Sequence, residues 1–503
     1  MFDDWHVKLV RDRQTVRCRK KIPPTRFARV EFVLIGQHRV TTMASISGAE
    51  CLFLPLLLSI FFSSSSGYLD GTTEPEVTFS QGNLRGKIMT TTHGRKVSAF
   101  LGIPYAQPPV GNKRFANPVP AGGWKGIRNA TADGNMCPQL SNIDYVSFVG
   151  DEDCLNLNVY TPQISNRKNS SLFPVMAYVF GGRFMTGSIK SSVYSPAYLL
   201  NQDVVLVTFN YRLGVLGFLS TGDEVASGNW GLKDQVLALE WVQRNIRHFH
   251  GDPDRVTLFG HSSGSACVHL LTLSKLTIAF YEIEEWFDDF LENFDYLLPI
   301  LMYWSYLPDS GAAWVKAAKS YYFNNIETMN RSELLTNFTL LVGDTAFKYP
   351  VYSALLYQFT AAVNPQYFYA FKYRGTWSST YTCGKSLKDY GISHADDLVY
   401  IFPYVDYNLT VALNKTPNEK DLQMREIMVQ LWTSFAIHGK PSTQFFRGNT
   451  TWEPYSEKDN LLQIGNKSEI VLEVQYFSLR ERMKFWADLE RSTLEAETNI
   501  TIH

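Results

Sequence analysis

The sequence predicts an α/β protein, a mostly parallel central sheet flanked by helices. Three observations carry that prediction. Continuous apolar, β-prone runs recur, among them Val204-Val-Leu-Val-Thr-Phe-Asn210 and Val256-Thr-Leu-Phe259. Runs of this length suit parallel strands buried on both faces. Residues 232–246 place Val236, Leu239, Trp241 and Val242 at helical spacing, as in a helix packed on a sheet. The turn Gly260-His261-Ser262-Ser263-Gly264 joins the second strand to a helical run over residues 265–271. Strand, sharp turn and helix form a nucleophile elbow, which lifts a serine Oγ out of the chain on a strained turn. A Cβ at either glycine would collide with the neighbouring strand and helix. Three fixed positions, each filled about 7% of the time, match by chance in roughly one chain of six at this length. The flanking strand and helix therefore carry the assignment of Ser262 as nucleophile.

The chain has 503 residues, enough for a large core. It is 45% hydrophobic and 19% charged, a globular composition. A formal net charge of −1 gives no support for a nucleic-acid partner or a basic membrane-surface patch. Aromatics at 14% suit the lining of large apolar pockets. The ten histidines do not fall at zinc-site spacing and the six cysteines include no C-x-x-C, so neither a metal nor a cofactor is expected.

Residues 1–42 carry a basic cluster, Arg13, Arg17, Arg19, Lys20 and Lys21, without a periodic apolar face. They read as an upstream extension outside the fold. Met43 opens a second start, and residues 43–67 read as a signal peptide. Its apolar run, Cys51-Leu-Phe-Leu-Pro-Leu-Leu-Leu-Ser-Ile-Phe-Phe62, is too short to span a bilayer, which takes about 20 residues. Small residues ending at Gly67 suit a cleavage site. The competing reading is a signal anchor beginning at Met1. Nine N-x-S/T sequons, at Asn129, Asn169, Asn330, Asn337, Asn408, Asn414, Asn449, Asn466 and Asn499, all lie downstream and agree with a secreted, extracellular glycoprotein. The C-terminus shows neither an ER-retention tetrapeptide nor an apolar GPI tail.

From Glu76 the chain reads as β-rich hairpins. Val97-Ser-Ala-Phe-Leu-Gly-Ile-Pro-Tyr-Ala-Gln-Pro-Pro-Val-Gly111, with Arg114, Phe115, Pro118, Pro120 and Trp124, makes a turn-dense segment anchored by aromatics. This segment and Glu152-Asp-Cys-Leu-Asn-Leu-Asn-Val-Tyr160 resemble the type-B carboxylesterases, an α/β-hydrolase family that includes cholinesterases and insect esterases. The resemblance spans a domain at residues 76–490 and implies the α/β-hydrolase fold. It pairs Cys137 with Cys154. Such a bridge, in an oxidising compartment, contributes about 3 kcal/mol by loop closure. In cholinesterases this loop carries a tryptophan that holds choline. Here it has none, which argues against acetylcholine as substrate. Cys267 is expected as a small buried residue behind the elbow, and Cys383 as a lone thiol in a loop.

Pro174-Val-Met-Ala-Tyr-Val-Phe-Gly-Gly-Arg-Phe184 reads as a strand ending in a glycine turn. The family carries H-G-G-G-F at this turn. The resemblance therefore implies an oxyanion hole from the backbone N–H groups of Gly182, Arg183 and Ser263. Phe180 stands where the family has histidine, and Arg183 where it has a third glycine. If that position needs a positive φ, the arginine distorts the hole. The alternative is that its side chain swings out to solvent. Asn210-Tyr-Arg-Leu-Gly-Val-Leu-Gly-Phe218 and Gly228-Asn-Trp-Gly-Leu-Lys-Asp-Gln235 continue the resemblance. Tyr367-Phe-Tyr-Ala-Phe-Lys-Tyr373 reads as a strand, followed by Gly391-Ile-Ser-His-Ala-Asp-Asp397, similar to the family's G-x-x-H-A-D-D loop. That similarity makes His394 the general base, in the Ser-before-His order of these enzymes. Its near-neutral pKa suits taking and returning the serine proton. His248, His250 and His261 read as structural.

A triad also needs an acid between Ser262 and His394 to fix the imidazole tautomer. The family's D-E-G-like turn is absent. The resemblance runs to about Leu271 and resumes near Ala279-Phe-Tyr281, leaving an internal deletion after the elbow where relatives carry a central strand. Glu282 follows the β-prone run Leu276-Thr-Ile-Ala-Phe-Tyr281 and is a weak substitute. The simpler reading makes Glu282, Glu284, Glu285 and Asp288 the wet face of a helix. Asp344 matches a structural position of the family. The sequence thus implies a secreted serine carboxylic ester hydrolase acting on a small-molecule ester, impaired by the lost segment. The alternatives are an inactive esterase-like binding or adhesion protein and an incomplete splice form.

Overall fold

The apolar runs form the middle of a six-stranded sheet. This computed structural model describes residues 7–10, 30–33, 74–141, 146–162, 171–223, 225–272, 293–302, 304, 307, 311–324, 326–361, 364–378, 392–403, 416–477 and 480–500. Strands β1 (Val7–Val10) and β2 (Val30–Val33) pair in parallel with each other. The leader run at 51–62, Glu282 with its acidic neighbours, and Cys383 lie outside the described residues.

The body begins with β3 (Glu76–Phe79), β4 (Gly82–Arg85), β5 (Lys87–Thr90), β6 (Lys96–Pro104), β7 (Ile127–Asn129), and the small pair β8 (Gln139–Leu140) and β9 (Phe148–Val149). Then come β10 (Asn156–Pro162), β11 (Phe173–Val179), β12 (Val205–Phe209), α1 (Gly214–Phe218), α2 (Trp230–Asn245), β13 (Gly251–Gly260) and α3 (Ser263–Thr272). Four helices follow, α4 (Phe294–Leu301), α5 (Ala312–Tyr322), α6 (Arg331–Gly343) and α7 (Tyr349–Ala361). The chain then runs through β14 (Tyr369–Tyr373), α8 (Glu419–His438), β15 (Leu461–Lys467), β16 (Glu469–Gln475) and α9 (Arg480–Ile500).

The main sheet has the order β13-β11-β12-β10-β6-β5. Its β13-β11-β12 end is parallel, and its pairings from β12 through β5 are antiparallel. All of β12 and all of β11 except Phe173 are buried, as their unbroken apolar sequence requires. The run at 256–259 departs from this expectation and is only partly buried. The cause is position: among the described residues β13 is the outermost strand of this sheet, paired on one side by β11.

A second sheet holds β14-β15-β16, with β14 parallel to β15 and β15 antiparallel to β16. Among the described residues no strand joins it to the first sheet. Helix α8 makes the connection, packing on β11, β13 and β16. Its buried Met424, Ile427, Met428 and Leu431 share one apolar cluster with Val175 and Val207 of the first sheet and Leu462 and Ile464 of the second. An Asn418–Asp421 capping box fixes the start of α8. A separate cluster, including Leu298, Val315, Phe338 and Trp486, gathers α4 to α7 under α9. In α2 the buried face is Leu237, Ala238, Trp241 and Val242, whereas Val236 is exposed. Buried Asp234 shifts that face, because it accepts hydrogen bonds from Arg212 Nε (2.8 Å) and Nη2 (2.7 Å).

Candidate active site

The elbow begins where β13 ends. Gly260 leads to His261 and then to Ser262, whose φ of 55° lies in the left-handed region. A non-glycine residue there costs of order 1–3 kcal/mol and persists only where its surroundings hold it. Here the holding contacts are close. A Cβ on Gly264 would lie 2.1 Å from the Val179 carbonyl oxygen, and one on Gly260 would lie 2.6 Å from the Gly264 carbonyl. The first turn of α3 closes the elbow, with Gly264 N–H donating to His261 O (2.8 Å) and Ala266 N–H to Ser262 O (3.0 Å). Behind it, Cys267 is fully buried and accepts from Gln235 Nε2 at 3.1 Å. Burial pushes its thiol up to about 12, so it stays protonated and inert.

The glycine turn after β11 lies directly against the elbow. A Cβ on Gly181 would sit 2.4 Å from His261 O and 2.8 Å from Ser262 Cβ. Gly182, Arg183 and Phe184 follow with φ of 130°, 59° and 59°. The Arg183 position does take positive φ, and the arginine adopts it with its side chain exposed. The fully buried Ser263 ties this turn down: its Oγ accepts from Phe184 N–H at 3.3 Å. Phe180 stacks on Tyr211 at 4.5 Å, and the Tyr211 hydroxyl donates to Phe180 O at 2.9 Å. Gln139 of β8 exchanges two hydrogen bonds with Gly187, so the Cys137–Cys154 disulfide loop braces the far end of the same turn.

His394 arrives from the other sheet. Asp396 braces its turn by accepting from Ser393 N–H (2.8 Å) and the Ser378 hydroxyl (2.9 Å). Asp397 accepts from the Tyr369 hydroxyl of β14 at 2.9 Å. The imidazole of His394 stacks on that of His261, with centroids 4.9 Å apart. Burial first, and then His261, lower His394 to about 4, while Asp397 acts in the opposite direction. Burial alone lowers His261 to about 4. Both rings are neutral at pH 7, as acceptance of a serine proton requires.

The structure thus packs the turn at residues 181–184 against Ser262 and Ser263, and stacks His394 on His261 next to them in the chain. Sequence reasoning took His261 as structural and gave the Asp396–Asp397 braces no role of their own. Their signal was present in adjacency to the two motif residues, but a contact between segments 130 residues apart has no sequence signature. Asp344 is elsewhere, engaged by the Tyr322 hydroxyl, Lys348 and Arg482 in the helical cluster. Among the described residues no group of His, Cys, Asp and Glu is arranged to hold a metal ion, and no helix is long and apolar enough to cross a membrane.

A profile of the carboxylesterase family matches residues 73–283 and 284–486. This chain belongs to the carboxylesterase family. A carboxylic ester hydrolase of Bombus ignitus is 29% identical over 544 aligned residues, covering 83% of this chain and 94% of that protein. Juvenile hormone esterase of Tribolium castaneum is 28% identical over 569, covering 84% and 95%. Esterase E4 of Myzus persicae is 44% identical over 228, covering 45% of this chain and only 40% of the esterase. The crystal structure of juvenile hormone esterase from Manduca sexta, with OTFP covalently attached, superposes with a TM-score of 0.69 at 23% identity. The match covers 83% of this chain and all of that one, and it shows the α/β-hydrolase fold. The first two alignments are longer than this whole chain of 503 residues, so the relatives carry segments that this carboxylesterase lacks. The family profile is broken at 283/284, just beyond residues 279–281, where the sequence places the resumption of the resemblance.

Proposed function

We propose that this carboxylesterase-family chain is a secreted, glycosylated serine esterase acting on small-molecule carboxylic esters. Ser262 Oγ attacks the ester carbonyl carbon as its proton passes to His394. The tetrahedral oxyanion accepts hydrogen bonds from the N–H groups of Gly182, Arg183 and Ser263. Collapse breaks the bond to the alcohol oxygen, which takes the proton from His394 and leaves an acyl ester on Ser262. Water then attacks that ester by the same proton route in reverse and releases the acid. The observation that carries this reading is Ser262 at φ 55° on the strand–helix turn, packed against the positive-φ turn at residues 182–184.

Residues 1–42 are then an upstream extension, 43–67 a signal peptide and 76–490 the hydrolase domain. Export is supported by the closed Cys137–Cys154 bridge and by exposed sequon asparagines at 129, 330, 449 and 466. The test is hydrolysis of 4-nitrophenyl acetate by the secreted protein beside a Ser262→Ala control. Turnover that disappears in the control supports the reading, and equal rates from folded material overturn it. A catalytically inactive binding protein is the second reading, favoured by the separation of the two sheets that carry Ser262 and His394. It predicts no stoichiometric organophosphate labelling at Ser262.

A further inference from the structure

A second histidine stands between the parts of this site. His261 precedes Ser262, and its ring lies over His394 with centroids 4.9 Å and planes 27° apart. On another side, a Cβ on Gly181 would lie 3.0 Å from His261 Nδ1, so the backbone of the oxyanion turn closes on the same ring. Its Nε2 is buried and receives no hydrogen bond among the described residues. A buried polar nitrogen in that state lowers stability, and its retention calls for a reason. We propose that His261 is a positioning residue for His394: its ring holds the imidazole plane beside Ser262 and faces the imidazolium formed on proton transfer. The proposal rests on the Ser262–His394 reading given above.

The physical case has three parts. A base in a triad is normally held by a carboxylate on its second nitrogen. Here a stacked ring at a favourable centroid distance also restricts tilt. A buried, neutral His261 also raises the cost of a lasting charge on His394, so the proton passes on readily to the leaving alcohol. Two rings this close cannot both be charged without strong repulsion, so the pair takes up at most one proton, and only during the proton-transfer steps. Two carboxylates near His394 have partners of their own. Asp396 is engaged by Ser393 and Ser378, and Asp397 by the Tyr369 hydroxyl of β14. Tyr178 of β11, on which Asp397 also acts, is kept neutral by burial.

Three variants separate a ring from mere bulk. His261→Phe keeps a flat ring without a titrating group, His261→Gln keeps polarity without a ring, and His261→Ala removes both. With 4-nitrophenyl acetate, kcat is expected to fall about tenfold in the Ala and Gln variants with KM little changed, and to recover to within about threefold in Phe. Equal losses in Phe and Gln overturn the proposal, as does an Ala variant with unchanged kcat. Should Ala fail to fold, the order of Phe over Gln decides. A second readout needs no turnover: carbethoxylation of His394 by diethyl pyrocarbonate, followed by peptide mass. The uncovered ring in Gln is expected to react several times faster than in the parent, with Phe returning it to the parent rate. Unchanged reactivity across the series overturns the positioning role whatever the activity. If the series moves as expected while Ser262→Ala matches the parent in hydrolysis, the contact stands and the esterase reading fails.

Discussion

At Ser262, Arg183 and Phe184 the backbone holds φ of 55°, 59° and 59°, a region L-residues enter at a cost. The consequence at Arg183 can be measured. Arg183→Gly is expected to stay within about 1 kcal/mol of the parent, because glycine adopts this φ freely. Arg183→Val is expected to lose about 1–3 kcal/mol, since a β-branched side chain is poorly tolerated there. Urea denaturation of the pair checks both. A second expectation concerns pH. His394 is depressed to about 4, and a base must be deprotonated to act. The acid limb of Ser262-dependent kcat/KM is therefore expected near pH 4, not near 6.5. Fold stability follows the same sign. His261 and His394 are both depressed, so the unfolded chain binds more protons between 6.5 and 4. Their contribution is fully present above about pH 6.5 and is lost as pH falls through about 4. Acid titration of stability in His261→Phe is expected to show a shallower slope across that window.

At the scale of elements, α8 and its cap hold the second sheet in place. Asp421 is 3% exposed and accepts from Asn418 N–H (2.9 Å), Thr376 N–H (3.1 Å), the Tyr373 hydroxyl (3.1 Å) and the Tyr400 hydroxyl (3.2 Å). One carboxylate thus joins the helix start, the end of β14 and the turn after His394. Asp421→Ala would leave these donors without their acceptor and is expected to cost about 3–5 kcal/mol by denaturant titration. The loss reaches the site through Tyr369 on the same strand, which donates to Asp397 beside His394. A fall in hydrolysis that precedes global unfolding in mild urea is the expected signature. The cap has a local pattern, an asparagine followed three residues later by an acid, but sequence reasoning did not single it out. Its links to Tyr373 and Tyr400 have no such pattern, because they depend on how the helix meets the strand.

Over the whole molecule, the division of the sheet has a measurable outcome. Strands β13 and β14 each pair on one side only among the described residues, whereas β11 and β12 pair on both. About half the amides of an edge strand face away from its partner, and such groups exchange with solvent far faster than those inside a ladder. Hydrogen exchange followed by mass spectrometry is expected to show rapid labelling of roughly half of residues 251–260, with residues 175–179 and 205–209 protected. Full protection at 251–260 would mean that a further strand covers β13. The same division bears on activity. Ser262 rides on β13 and His394 leans on β14, so their alignment depends on α8, on the Asp397–Tyr369 bond and on the His261 stack.

The sequence by itself determined the buried strands, the elbow and the glycine turn, while the Cys137–Cys154 pair followed from the family resemblance. The first three are local patterns: an apolar run, a glycine where a Cβ would meet a carbonyl at 2.1 Å, or a motif whose letters are contiguous. Only the tertiary structure decided that β13 lies at a sheet edge among the described residues, that Arg183 takes the left-handed conformation with its side chain exposed, and that His261 stacks on His394. Each of these depends on which segments come to lie together in space, a relation set by packing between distant parts of the chain and carried by no run of neighbouring residues.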